Sequence, residues 1–112
     1  MFTMNYSKGD VVLLPYPFTD LTSSKVRPAV VVSSNRGKYS DLFVIPITSR
    51  TNNLGTGEFL LAGWQYAGLN VPSAVKRGCV LVDVSLFRKK VGSLATADLT
   101  SLNASIKLWF EL

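Results

Sequence analysis

The chain has no histidine and a single cysteine, Cys79. Without an imidazole, Ser-His-Asp and Cys-His nucleophilic sites, the commonest zinc sites and a paired-histidine ribonuclease mechanism are all excluded. One cysteine forms no internal disulfide, which suits a reducing compartment. Its setting, Cys79-Val80-Leu81-Val82, reads as that of a small buried apolar residue rather than a nucleophile. Charge is also scarce: 17% of residues are charged against 47% hydrophobic, which excludes a disordered chain. No apolar run approaches the roughly 20 residues of a spanning helix. Residues 1–6 lack the basic-then-apolar order of a signal peptide, so a cytoplasmic location without membrane contact is expected. There is no GxxxxGK[ST], no GxGxxG after a strand and no metal-ligand spacing. Asp10, Asp20, Asp41 and Asp83 stand too far apart in sequence to suggest a paired-carboxylate site. A metal-dependent nuclease is therefore not expected, and no cofactor is implied.

What remains is a short, apolar and basic chain. At 112 residues it is long enough for one core and too short to divide, so a single domain over 1–112 is expected. Net charge is +5, with Lys76, Arg77, Arg88, Lys89 and Lys90 concentrated in the second half. That balance favours a polyanionic partner, although solubility alone accounts for it equally well. Short β-branched and apolar runs predict strands over 11–16, 29–34, 42–47, 58–61, 73–76, 79–84 and 89–94, separated by Gly, Pro, Asn and Ser turns. The first run is almost continuously apolar and is expected to be buried on both faces or capped by a partner. Pro15 and Pro17 cannot donate to a ladder and should end it. Between 63 and 68 a single helical turn fits. From Thr96 the period changes: Leu99, Leu102, Ile106, Trp109 and Phe110 recur at helical steps, with Thr96 as N-cap and Asp98 in the first turn. These features predict a mostly β, small antiparallel barrel or sandwich with a C-terminal helix.

Two side chains stand at matching places. Arg27 is expected just before the second strand and Thr48 just after the third, so antiparallel pairing would bring both to one end of the sheet. A guanidinium fork beside a hydroxyl suits a phosphate. An exposed loop charge and a turn-forming threonine fit the same residues. The aromatics Tyr16, Phe18, Trp64 and Tyr66 are open in the same way, as platforms for stacked bases or as filling for a small core.

The ordered motifs GDVVLLPYPFTD (9–20), KVRPAVVVS (25–33), IPITS (45–49), GLNVPSAV (68–75) and KVGSL (90–94) resemble the PemK/MazF family of toxin endoribonucleases of type II toxin–antitoxin systems. The resemblance implies an SH3-like antiparallel barrel that dimerises and cuts single-stranded RNA without metal. It also implies neutralisation by a cognate antitoxin whose tail occupies the RNA groove. Arg27 and Thr48 match the positions the family uses for catalysis. Phe18, Asp20 and Lys25 in the first loop, with Ser49 and Arg50 after the third strand, are the matching substrate-binding candidates. Two other functions stay open at this point. One is a toxin of similar fold that inhibits a protein such as a topoisomerase through the helix end at Trp109–Leu112. The other is a non-catalytic binder of single-stranded nucleic acid.

Overall fold

The computed structural model describes residues 5–15, 25–34 and 39–112. They form a curled antiparallel half-barrel with one C-terminal helix, the mostly β class expected. The strands are β1 (Asp10–Pro15), β2 (Val26–Val31), β3 (Asp41–Thr48), β4 (Phe59–Leu60), β5 (Ala74–Val75), β6 (Val80–Asp83) and β7 (Lys89–Ser93). The helix α1 spans Thr96–Phe110. Sheet order is β4-β5-β3-β2-β1-β7, with β6 also paired to β3. Among the described residues no helix is long and apolar enough to cross a membrane.

The apolar run of β1 is buried on both faces, as expected. Side chains alternate across a strand, so Val11 enters one cluster while Val12 and Leu14 enter another. The first cluster holds Tyr6, Val12, Leu14, Ala29, Val31, Leu42 and Val44. The second holds Val11, Val30, Ile45, Ile47 and Leu61, and α1 covers it with Leu102. Each fully buried valine or leucine stabilises the fold by about 1.5–3 kcal/mol.

The helix departs from expectation at both ends. Thr96 is its first helical residue and not the cap; Ala95 occupies the cap with no side-chain bond. Asp98 is buried, and its carboxylate accepts from the amides of Ala62 (2.9 Å) and Gly63 (2.8 Å). It thereby holds the turn at 63–68, where the Ala67 amide donates to the Gly63 carbonyl as in one turn of helix. Leu99, Ile106 and Trp109 pack on the second cluster, but Phe110 is exposed. Cys79 is also exposed, contrary to expectation. It falls between β5 and β6, where the ladder is interrupted, and so escapes the alternation that buries Val82. Partial desolvation still pushes its thiol pKa up, which makes it a poorer nucleophile.

Two glycines let the 63–68 turn sit directly on β7. A Cβ on Gly68, whose φ is +88°, would strike the backbone of Val91, and one on Gly92 would strike the carbonyl of Ala67.

Candidate active site

The pairing of β3 is broken on both sides near its end, and each break has a proline behind it. In β2, the Val32 amide donates to Phe43, so even-numbered residues there face β3. Pro28 therefore turns its missing N–H toward β3, and the β2–β3 ladder stops at Ala29–Pro46. The β1–β2 ladder is untouched and continues to Pro15–Val26. This is why β2 begins at Val26 and Arg27 lies inside the strand, opposite Leu14, instead of ahead of it.

The other break involves Pro46. Its carbonyl accepts from the Lys76 amide at 3.0 Å, so its missing N–H faces the β5–β6 side. β6 pairs with β3 as far as Val44–Val80, and β5 resumes at Ile47–Val75. Between those rungs Lys76, Arg77, Gly78 and Cys79 stand against Ile45 and Pro46, a bulge of two extra residues. Glu58 fixes it. One carboxylate oxygen accepts from the Arg77 amide at 2.8 Å and the other from the Gly55 amide at 2.6 Å. The amides of Gly55 and Arg77, aided by the charges of Lys76 and Arg77, hold the Glu58 carboxyl below the usual carboxylate range despite some burial. The loop carrying Glu58 is tied to α1: Ser105 donates to the Gly57 carbonyl at 2.6 Å and the Trp109 indole to the Thr56 carbonyl at 2.9 Å.

The breaks open a cleft of about 500 Å³ lined by Arg27, Pro46, Thr48, Arg50, Lys76 and Arg77, with Ile47, Ser49, Gly78 and Val80 completing it. Carried two residues past Ala29–Pro46, the β2–β3 register sets Arg27 across from Thr48. Both then fall on the sheet face of the first core cluster, with the Arg27 guanidinium exposed. The Thr48 hydroxyl accepts from the Arg50 amide at 3.0 Å, which leaves its proton free to donate. Among the described residues the one ion pair is Lys90–Asp10, at 3.3 Å, so no carboxylate forms a salt bridge with a cation of the cleft, although Glu58 lies close enough to feel the charges of Lys76 and Arg77. Such a site attracts an anion with fixed donors aimed at it.

A second cleft, of about 270 Å³, shares Arg27, Ile47 and Ser49 with the first. Its remaining walls are Leu13, Val26, Pro28, Val91 and the loop 68–73, where Asn70 and Ser73 are the polar members.

The structure thus brings together Arg27, Thr48, Ser49 and Arg50 of the residues singled out from the sequence. Lys25 is exposed and lines neither cleft. Phe18 and Asp20, with Tyr16 and Pro17, lie outside the described residues. Trp64 packs on the second core cluster, and Tyr66 is exposed but lines neither cleft. Sequence reasoning missed Lys76 and Arg77 as site residues. Their charge was visible, whereas the bulge that carries them to Thr48 depends on pairing between distant strands.

A curled antiparallel half-barrel closed by one C-terminal helix, with an arginine, a threonine and a basic cleft at one end of the sheet, defines a small mostly β protein with a candidate anion site. The family model of PemK-like, MazF-like toxins of type II toxin–antitoxin systems matches residues 7–110. The chain belongs to this family. Among solved structures, MazF from Deinococcus radiodurans is similar at a TM-score of 0.77 and 21% identity, covering 98% of this chain and 100% of that one. The MazE–MazF complex of Deinococcus radiodurans gives 0.75 at 21% identity, with 98% and 99% covered. Mycobacterium tuberculosis toxin MazF-mt6 gives 0.71 at 21% identity, with 92% and 97% covered. No curated protein matches the chain.

Proposed function

We propose that this toxin is a metal-independent endoribonuclease that cuts single-stranded RNA by attack of the RNA's own 2′-hydroxyl. The observation that carries this reading is the placement of Arg27 and Thr48 across a broken rung, in a cleft whose other cations form no salt bridge among the described residues. RNA brings its nucleophile, so the protein need only align it and stabilise charge. The 2′-oxygen forms a bond to phosphorus and the P–O5′ bond breaks, leaving a 2′,3′-cyclic phosphate and a 5′-hydroxyl. The 2′-proton passes to solvent water and O5′ takes a proton from water, so the two transfers balance. Arg27 holds two non-bridging oxygens and neutralises the extra charge of the phosphorane. Thr48 donates its hydroxyl proton to the phosphate, the lone pair facing Arg50 being occupied already. Ser49 and Arg50 contact the adjoining backbone, with Lys76 and Arg77 on the far wall.

We further propose that the toxin works as a homodimer in the cytoplasm and is neutralised by a protein antitoxin. The MazE–MazF complex among the similar structures supports such a partner. The test is end-labelled single-stranded RNA incubated with purified toxin in EDTA. Cleavage with 5′-hydroxyl ends, lowered at least about a hundredfold by Arg27→Ala, is expected. Uncut RNA at micromolar protein, or equal cutting by Arg27→Ala, overturns the reading. Gel filtration at the monomer mass across concentrations overturns the dimer.

A further inference from the structure

The second cleft differs from the first in chemistry. Around Thr48 the wall carries Arg27, Arg50, Lys76 and Arg77, whereas the second cleft has Arg27 as its single cation. Its floor and sides are Leu13, Val26, Pro28, Ile47, Leu69 and Val91. Beyond Arg27 at its rim, such a surface offers a phosphate little and favours a flat, weakly polar ring. At about 270 Å³ it is smaller than the roughly 300–1,000 Å³ of pockets that bury drug-sized ligands, and suits one nucleoside.

The two polar groups of its loop differ in availability. Ser73 is buried and donates to the Val71 carbonyl at 2.9 Å, so its proton is committed. Asn70 is exposed at the cleft wall and makes no side-chain hydrogen bond among the described residues. Its amide offers both a donor edge and an acceptor, the pair that reads a base edge in a bidentate contact. The loop is held by the close approach of Gly68 to Val91, so the amide is carried on a fixed support.

The chemistry of the proposed cut makes a one-sided base pocket useful. In-line attack requires the 2′-oxygen, phosphorus and O5′ to be collinear, and stacked neighbouring bases do not permit this. The two clefts meet at Arg27, Ile47 and Ser49, and Thr48 with Arg27 lies on the opposite sheet face from Ile47. A strand crossing that rim must splay its bases apart.

We propose that the second cleft binds the base of one nucleotide flanking the cut, with Asn70 reading its edge and setting sequence preference at that position. The proposal rests on the endoribonuclease reading of Arg27 and Thr48. Its test uses short single-stranded RNAs carrying each base in turn at the two nucleotides flanking a mapped cut. The readout is the ratio of cleavage rates between the most and least favoured base at each flank. In Asn70→Ala that ratio should collapse at one flank by at least about fivefold and persist at the other. Asn70→Asp, which keeps the acceptor and removes the donors, should change which base is favoured at the same flank. Unchanged ratios at both flanks in both variants, or equal flattening at both, overturn the subsite while leaving the endoribonuclease reading intact. No cleavage of any RNA by the unmodified toxin overturns that reading, and the subsite with it. Thermal melts of both variants, which alter one exposed side chain, separate binding from folding.

Discussion

Arg27 is the cation common to both clefts, and its surroundings fix the backbone from which its exposed side chain departs. It is set on a β-strand whose rungs to β1 continue past it, so its backbone is held while its guanidinium stays in water. Thr48 is held differently, by the Arg50 amide that donates to its oxygen. Thr48→Val removes the hydroxyl at nearly constant volume. It should lower the single-turnover cleavage rate about tenfold to a hundredfold, the effect of one charge-assisted hydrogen bond, and change unfolding free energy by less than about 1 kcal/mol. Glu58 gives a prediction in pH. Its folded pKa is depressed, so its stabilising contribution is present above the unfolded value of about 4.3 and lost as pH falls through the folded value. Urea unfolding of the toxin and of Glu58→Gln between about pH 3 and about pH 6 should show a gap that closes toward the acid end.

At the level of elements, the site is an outcome of two failed ladders. Pro28 and Pro46 face opposite edges of β3, and where Thr48 emerges the strand has lost β2 and keeps only β5, paired at Ile47–Val75 and Thr48–Ala74. The β5–β6 bulge, Glu58 and α1 then form a continuous path of hydrogen bonds and backbone from the helix to Arg77. Trp109→Phe keeps most of the packing on the second cluster and loses the bond to Thr56. It should cost about 1 kcal/mol and speed amide exchange across 55–58. Deleting residues 109–112 to test a protein-binding helix end would also remove this tie. Substitutions at Phe110 and Leu112, which are exposed, probe that end without disturbing the loop. On the other side of the sheet, Gly68→Ala meets both an unfavourable φ and the Val91 backbone. A loss of about 2 kcal/mol or more in urea unfolding is expected.

For the whole molecule, a net charge of +5 is distributed unevenly in effect. Lys90 is paired with buried Asp10, and Arg88 and Lys89, at the start of β7, line neither cleft. Arg50, Lys76 and Arg77 line the same cleft as Thr48. Binding of single-stranded RNA should therefore weaken with salt. Alanine at any one of the three should lower the log–log salt slope by about 0.7 for each phosphate no longer neutralised, measured by fluorescence anisotropy with uncleavable RNA.

The sequence by itself determined the mostly β class, the apolar run of β1 and the C-terminal helix, and it made the meeting of Arg27 with Thr48 conditional on antiparallel pairing. All of these follow from local period, propensity and antiparallel geometry, which nearby residues specify. Tertiary structure decided the rest. Which edge of β3 each proline faces depends on hydrogen-bond parity across strands. The bulge of Lys76 and Arg77 depends on β5 and β6 sharing one partner. The burial of Asp98, the exposure of Cys79 and Phe110, and the separation of a basic cleft from an apolar one depend on contacts between residues far apart in the chain. A linear pattern carries the chemistry of those side chains but not the distances that make it a site.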